Sequence, residues 1–417
     1  MNVMNINNNT LVVGGGIVGA SFALSLAKRQ YPVTLIDVRP YLSPADWEQK
    51  LKLRDARVFA LSLASIQILQ QIGAWQNIQQ SGRKADYCQM QVWQINGIGE
   101  LKFGNNTKPN QLLGSMIEPF VIEKALYERF NDADIVPFLR VINGRKLTKI
   151  HWLGVQQGYQ ISLDNGDTHT CKLLIGADGR GSMVRQEAGI GLDMLDYAQT
   201  AICCAIKTAK THNATARQVF LTDSILALLP LADTDGQDQA QPQHWQSIVW
   251  SLPTEKAKQL LALTPGELAN EIAFASGYAL GEISEIQSIA SFALTAQHAK
   301  QYVKANLALI GDAAHGVHPL AGQGLNLGLL DVIDFINILQ KDFERSGKKV
   351  WADFSTLQRY ERKRYANNAM MMHSFSGLNW LFGSQFAPVQ QIRNVGVHKV
   401  SKIKPLMQFF SKQASGI

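Results

Sequence analysis

The chain has 417 residues, 46% of them apolar, and a formal charge of +7. That length allows two or three structural units around a sizeable core. The charge excludes little by itself. Residues 362–417 hold eight of the 40 basic residues and no acid, so the 361 before them carry 32 bases against 33 acids. Basicity therefore belongs to the tail, and no basic stripe points to nucleic acid.

In chain order, the Asn-rich start has no basic or apolar stretch of a secretory signal. The longest apolar run, 11–27, is interrupted by four glycines, which makes it a strand, turn and helix and not a membrane span. A strand is expected at 10–13, a helix at 17–29 with Val18, Phe22 and Leu26 on one stripe, and a second strand at 33–37. Helices are expected at 61–72, stopped by Gly73, and at 120–130. Residues 159–163 and 170–175 flank Asp164-Asn165-Gly166-Asp167 as a hairpin. Strands follow at 199–208, 218–230 and 247–251, with a loop at 232–242. Thr264-Pro265-Gly266 opens a helix towards Ala275, and 307–310 is a short apolar strand. From Leu325 the pattern is helical. Strand, helix and strand at the start, a sheet in the middle and a late strand feeding a helix give a discontinuous cofactor domain of α/β class with a β-rich insertion. The four cysteines, Cys88, Cys171, Cys203 and Cys204, have no framework spacing, and reduced cytoplasmic thiols are expected. Cys203 and Cys204 would point to opposite faces of a strand.

Three motifs carry chemistry. Gly14, Gly16 and Gly19 form G-x-G-x-x-G between the first strand and helix. Such glycines allow a tight turn, a close approach to pyrophosphate and close helix packing, while the helix N-terminus favours phosphate. Asp37 ends the next strand, where an acid holds a ribose hydroxyl. No second G-x-G-x-x-G follows a strand, so one dinucleotide domain is expected. Asp178 and Gly179 follow the strand near 175, and Gly311-Asp312 follow the strand at 307–310, on the edge where α/β sheets bind ligands. The glycine loop 318–328 then runs into a helix. Its backbone would lie against a flat ring, and its helix N-terminus would favour negative charge on a reduced flavin. His315 and His318 stand three apart beside this loop without a ligand cluster, so no metal is expected. No G-x-S-x-G elbow and no W-x-W-x-I-P motif occurs.

These residues resemble the class A FAD-dependent monooxygenases of the para-hydroxybenzoate hydroxylase type, and within them the ubiquinone-biosynthesis hydroxylase family. The likeness rests on GGGIVG from Gly14, DARVFALS from Asp55, D-G-x-x-S-x-x-R from Asp178, and above all GDAAHGVHPLAGQGLNLG from Gly311. It implies a Rossmann-like FAD-binding domain at 1–80, 115–190 and 295–340, a substrate domain at 81–114 and 191–294, and a helical, basic region at 341–417. It implies non-covalent FAD, with NAD(P)H as transient co-substrate, and transfer of one oxygen from O2 through a C4a-hydroperoxyflavin to a polyprenylated phenol or benzoquinol. Gly14, Gly16, Gly19 and Asp37 would hold the ADP half, and Arg57 the pyrophosphate or ribityl chain. Asp178 and Gly179 would sit where FAD and nicotinamide contacts meet, and Asp312 on the ribityl chain. Pro319, Gly322, Gln323, Gly324, Leu325 and Asn326 would line the isoalloxazine. Val18 and Gly311 are counted with the cofactor contacts. No catalytic base is named. The family's Asn or Gln at the start of the helix near 120 is replaced here by Pro119, after Glu118. The rival readings are a flavin hydroxylase of another aromatic substrate and a non-catalytic flavin-binding accessory subunit of a quinone-biosynthesis assembly. The acid-free tail, with Lys399, Lys402, Lys404 and Lys412 among Leu406, Met407, Phe409 and Phe410, reads either as a solvated helix face or as a segment that touches a membrane surface or a partner protein.

Overall fold

The computed structural model describes residues 9–95, 100–104, 111–233, 243–316, 323–347 and 353–383, the last eleven by their backbone alone. A six-stranded sheet runs in the order Val303–Lys304, Leu307–Leu309, Leu173–Gly176, Thr10–Val13, Val33–Asp37 and Leu139–Asn143. Its central strands are parallel and buried on both faces, as covered parallel sheets require. Their carboxyl ends therefore open on one edge. That edge gathers Gly14, Asp37, Ala177 and Gly311, which sequence order separates by up to 297 positions.

The helix Ile17–Ala27 is buried almost all round, not on one stripe, because it lies between this sheet and the helix Gln323–Ser346. Phe22 meets Phe335 edge to face, with ring centroids 5.1 Å apart. The helix expected at 61–72 is shorter, Leu63–Gln71. Ser62 caps it, and Phe59–Leu61 ahead of it is a strand. Pro119–Arg129 carries its proline in the first turn, where no amide hydrogen is needed.

A second sheet is mainly antiparallel and has eight strands. In order they are His315–Gly316, Ile283–Ala299, Leu192–Thr208, Trp245–Pro253, Ile225–Pro230, Thr215–Phe220, Gln89–Gln94 and Glu100–Phe103. Two expectations need correction here. The strand expected at 218–230 is a hairpin of two strands, turned between Phe220 and Ile225. The strand expected at 170–175 is also two. Thr168–Cys171 closes the hairpin with Gly158–Leu163, whereas Leu173–Gly176 crosses to pair with Thr10–Val13. In both cases polar residues interrupt the run where the partner changes, Thr222, Asp223 and Ser224 in the first and Lys172 in the second. The 17-residue strand Ile283–Ala299 has no expected counterpart. Its alternation is broken at Ser288, which has φ 54° and marks an irregularity in the pairing.

The helices Thr254–Leu261 and Pro265–Ala275 cover one face of this sheet, burying Leu268 and Ile272 against Ile202, Cys204 and Leu226. Thr264 and Glu267 form a capping box at the second helix. The opposite face is turned towards the glycine edge. Cys204 belongs to the covered face and Cys203 to the open one. No helix among the described residues is long and apolar enough to cross a membrane.

Candidate functional site

The glycine turn is shaped by close approaches. Gly14 has φ 106°, and a Cβ there would stand 2.3 Å from the Ala177 carbonyl oxygen. A Cβ on Gly19 would stand 1.9 Å from the Gly14 oxygen. Gly16, in contrast, would meet nothing within 4 Å, so its bare backbone faces open space at the helix N-terminus. Asp37 lies beside this turn. Its carboxylate accepts from the Arg39 backbone N at 2.8 Å and from Arg39 Nη2 at 3.0 Å. Arg39 also reaches Glu123 at 2.9 Å and the Tyr127 hydroxyl at 3.2 Å, and that hydroxyl donates to Gly15 O. Arg39 escaped the sequence reading, although a cation two places after the strand-end acid was a visible signal.

A cleft of about 730 Å³ separates the glycine edge from the open face of the large sheet. Gly16, Val18, Gly179, Asp312, Gly324 and Leu325 border it on the nucleotide side. Gly179 and Gly324, like Gly16, would have nothing within 4 Å of a Cβ. Bare backbone thus faces the cleft from three separate segments, which fits a flat, phosphate-bearing dinucleotide.

The far wall is built by strand register. Phe292 pairs with Ala201, Ala201 with Ser251, and Ser251 with Ile225. A parallel row pairs Cys203 with Val249, Val249 with Ala227, and Ala227 with Gln218. Residues opposite one another share a face, and all of these line the cleft. The wall crosses five strands, a span of about 19 Å at the usual strand spacing. It is apolar apart from Gln218, Ser251, Ser291, Thr295 and the Cys203 thiol. Burial pushes that thiol up to about 12, so it stays neutral.

Two arginines stand where the walls meet. The Arg57 guanidinium lies over the Phe292 ring, 5.0 Å from its centroid. Arg180 donates to Thr295 Oγ1 at 2.6 Å and to Thr295 O at 3.0 Å, and its Nε is 3.7 Å from Asp312 Oδ2.

Other expected site residues point elsewhere. Asp178 accepts from Ser182 Oγ at 2.5 Å and Val184 N at 3.1 Å, capping the short helix Met183–Glu187. Burial raises its carboxyl against those hydrogen bonds. Its neighbours Gly179 and Arg180 border the cleft in its place. The Asn326 amide is buried and stitches the helix Gln323–Ser346 to the turn between the strand Phe59–Leu61 and the helix Leu63–Gln71. Its Nδ2 donates to Ala60 O at 2.8 Å, and its Oδ1 accepts from Ser62 N at 3.0 Å and Ser65 Oγ at 2.7 Å. Gly311 starts the turn that carries Asp312. Pro319, Gly322, His318 and the tail from residue 384 lie outside the described residues, as does the side chain of Gln323.

Pro119 borders the cleft without a side-chain donor. Glu118 beneath it is fully buried. It accepts from Asp55 N at 2.8 Å and from Arg83 Nε and Nη2 at 2.8 and 2.7 Å. It thereby ties down the loop that leads to Arg57. His315 is buried against Asp331, with Nε2 2.6 Å from Oδ2.

Comparisons agree with this geometry. The FAD binding domain family matches residues 7–374. The 3-demethoxyubiquinol 3-hydroxylase of Escherichia coli (strain K12) is 33% identical over 412 residues, covering 97% of this chain and 98% of that protein. The ubiquinone hydroxylase UbiL of Rhodospirillum rubrum is 32% identical, covering 98% and 89%. Among solved structures, PqsL of P. aeruginosa in complex with 2-aminobenzoylacetate superposes with a TM-score of 0.73 at 18% identity. It covers 94% of this chain and 99% of that one, a likeness of fold.

Proposed function

The chain belongs to the FAD binding domain family and is an FAD-dependent monooxygenase, and we propose that it hydroxylates the ring of a polyprenylated phenol or benzoquinol in ubiquinone biosynthesis. The observation that carries this reading is one continuous cleft, bare backbone on one wall and an apolar sheet about 19 Å across on the other. A ring beside Asp312 and Gly324 would leave an attached apolar chain to follow the row from Cys203 to Gln218. The relatives named for ubiquinone hydroxylation point to the same class of substrate.

We assign Gly14, Gly16, Val18, Gly19 and Asp37 to the ADP half of FAD. Arg57, Gly179, Gly311 and Asp312 go to its middle, and Gly324 and Leu325 to the ring, together with Pro319, Gly322 and Gln323. Asp178 and Asn326 shape the backbone that makes those contacts. We keep the division proposed from the sequence, with cofactor segments at 1–80, 115–190 and 295–340.

FAD, reduced by NAD(P)H, supplies the activation of oxygen. The protein's share is positioning and dryness. The apolar wall excludes water, the neutral Cys203 thiol adds no charge, and the helix N-terminus at Gly324 favours negative charge on the ring. Arg57 and Arg180 hold the two walls in register through Phe292 and Thr295.

The test is mass spectrometry of quinone intermediates in a strain lacking the protein, paired with turnover by purified holoprotein. An accumulating polyprenylated phenol that the holoprotein then hydroxylates is the expected result. An unchanged quinone profile would overturn the substrate. For delivery from a bilayer we assign peripheral contact to residues 397–412. Near an anionic surface each lysine adds roughly 1 kcal/mol. Changing Lys399, Lys402, Lys404 and Lys412 to Gln should reduce co-sedimentation with anionic liposomes at low salt. Equal sedimentation would remove the membrane role.

A further inference from the structure

Asp331, His315, Arg364 and Asn368 form a buried polar network behind the turn 311–315, and none of them lines the cleft. Asp331, in the helix Gln323–Ser346, has no solvent exposure. Its Oδ2 accepts from Gly311 N at 2.9 Å and from His315 Nε2 at 2.6 Å, so that nitrogen carries the hydrogen. Its Oδ1 accepts from Arg364 Nε at 2.6 Å and Asn368 Nδ2 at 3.4 Å. Arg364, in the helix Phe354–Gly383, also reaches Leu327 O at 3.2 Å and Asp334 at 3.3 Å. A fully buried carboxylate is costly unless such partners surround it.

One carboxylate oxygen thus grips both ends of the turn 311–315. The interior of that turn is held as well. The Asp312 carbonyl accepts from Gln297 Nε2 at 2.7 Å, and the Ala313 carbonyl from Arg185 Nη1 at 3.0 Å. Gly311 has φ 59°, a conformation that favours glycine. With the backbone pinned at each step, the Asp312 side chain projects into the cleft and keeps 47% of its surface exposed.

We infer that Asp331 is a positioning residue, bracing the turn so that the Asp312 carboxylate stands where bound FAD meets it. The inference rests on the reading that Asp312 contacts the cofactor. Asp331→Asn keeps the shape and an acceptor for Gly311 N. It removes the charge that His315 and Arg364 require, so the turn loosens while the Asp312 side chain remains present.

The test is the rate of FAD release from full-length holoprotein on dilution, followed by recovery of flavin fluorescence, for Asp331→Asn, Asp312→Ala and the double variant. Loss of a charge-assisted hydrogen bond gives about a tenfold change. Each single variant is expected to release FAD about tenfold faster, and the double no faster than the faster single, because one residue acts through the other. A second brace, His315→Asn, should behave as Asp331→Asn does and serves if that variant does not fold. Multiplied effects in the double variant would overturn the inference, because a merely structural loss adds independently. Unchanged release from Asp331→Asn would also overturn it and leave the Asp312 contact standing. Unchanged release from Asp312→Ala would instead overturn the Asp312 contact, and the inference with it.

Discussion

Arg57 and Phe292 join the two walls of the cleft by a single contact, guanidinium over ring at 5.0 Å. Arg57 sits on the loop tied down by Glu118, and Phe292 on the strand Ile283–Ala299 of the large sheet. A contact of this kind contributes roughly 0.5–1 kcal/mol where solvent reaches it. Arg57→Ala and Phe292→Leu are each expected to lower kcat/KM for hydroxylation by a few fold. The double variant should be no worse than Arg57→Ala alone. Steady-state product formation by the four proteins checks this, and independent effects would show that the two side chains do not act together.

Gly324 has empty space where a side chain would begin. Gly324→Val should therefore fold with an unchanged melting temperature while placing its branch in the cleft. Misplacing one stabilising contact to developing charge costs on the order of 100-fold in rate. Product formed per NAD(P)H consumed should fall, with hydrogen peroxide making up the difference. Coupled turnover equal to the parent's would count against this wall facing the ring.

Ala227 lies mid-row between Val249 and Gln218. Ala227→Phe should block the trough beyond it. Each methylene turned out into water costs about 0.8 kcal/mol, close to fourfold in binding. KM for a long-chain substrate should rise about tenfold or more, and KM for a short-chain analogue should change little. Equal effects on both would place the chain elsewhere.

Acid should expose the Asp331 network. Burial alone would raise its carboxyl, but the charges of His315 and Arg364 and the hydrogen bonds from His315 and Gly311 N hold it down to about 2, from an ordinary 3.8. A carboxyl depressed by folding contributes stability that is present above its unfolded value and lost as pH falls towards its folded one. The window is roughly pH 4 down to pH 2, and the contribution on the order of 2 kcal/mol. The gap in melting temperature between the parent and Asp331→Asn should narrow across that window. A constant gap would show that the network carries no such charge dependence.

Much of the cofactor edge was legible because its signals are local. Gly14, Gly16 and Gly19 act within one turn: Gly14 needs glycine for its φ of 106°, Gly19 because a Cβ would strike the Gly14 oxygen, and Gly16 leaves bare backbone at the helix N-terminus. Asp312 follows its strand directly, so the rule for strand ends applied. Asn326 and Asp178 were legible as important but not in their direction, since the same residue types serve as caps and stitches. Asp331 and Glu118 left only a weak trace, an acid inside an apolar pattern. Their meaning lies in Arg364, Gly311 and Arg83, 20 to 35 positions away.

By itself, then, the sequence determined that a dinucleotide edge exists, which strands end on it and which backbone lies bare there, because steric limits on glycine and the alternation of strands operate over a few residues. The tertiary structure decided which wall faces that edge. Cys203 and Ala227 are unremarkable in sequence, and a shift of one residue in register would turn either of them to the helix-covered side. It also decided which charged residues are buried together, since pairing across tens of residues follows from packing and not from spacing.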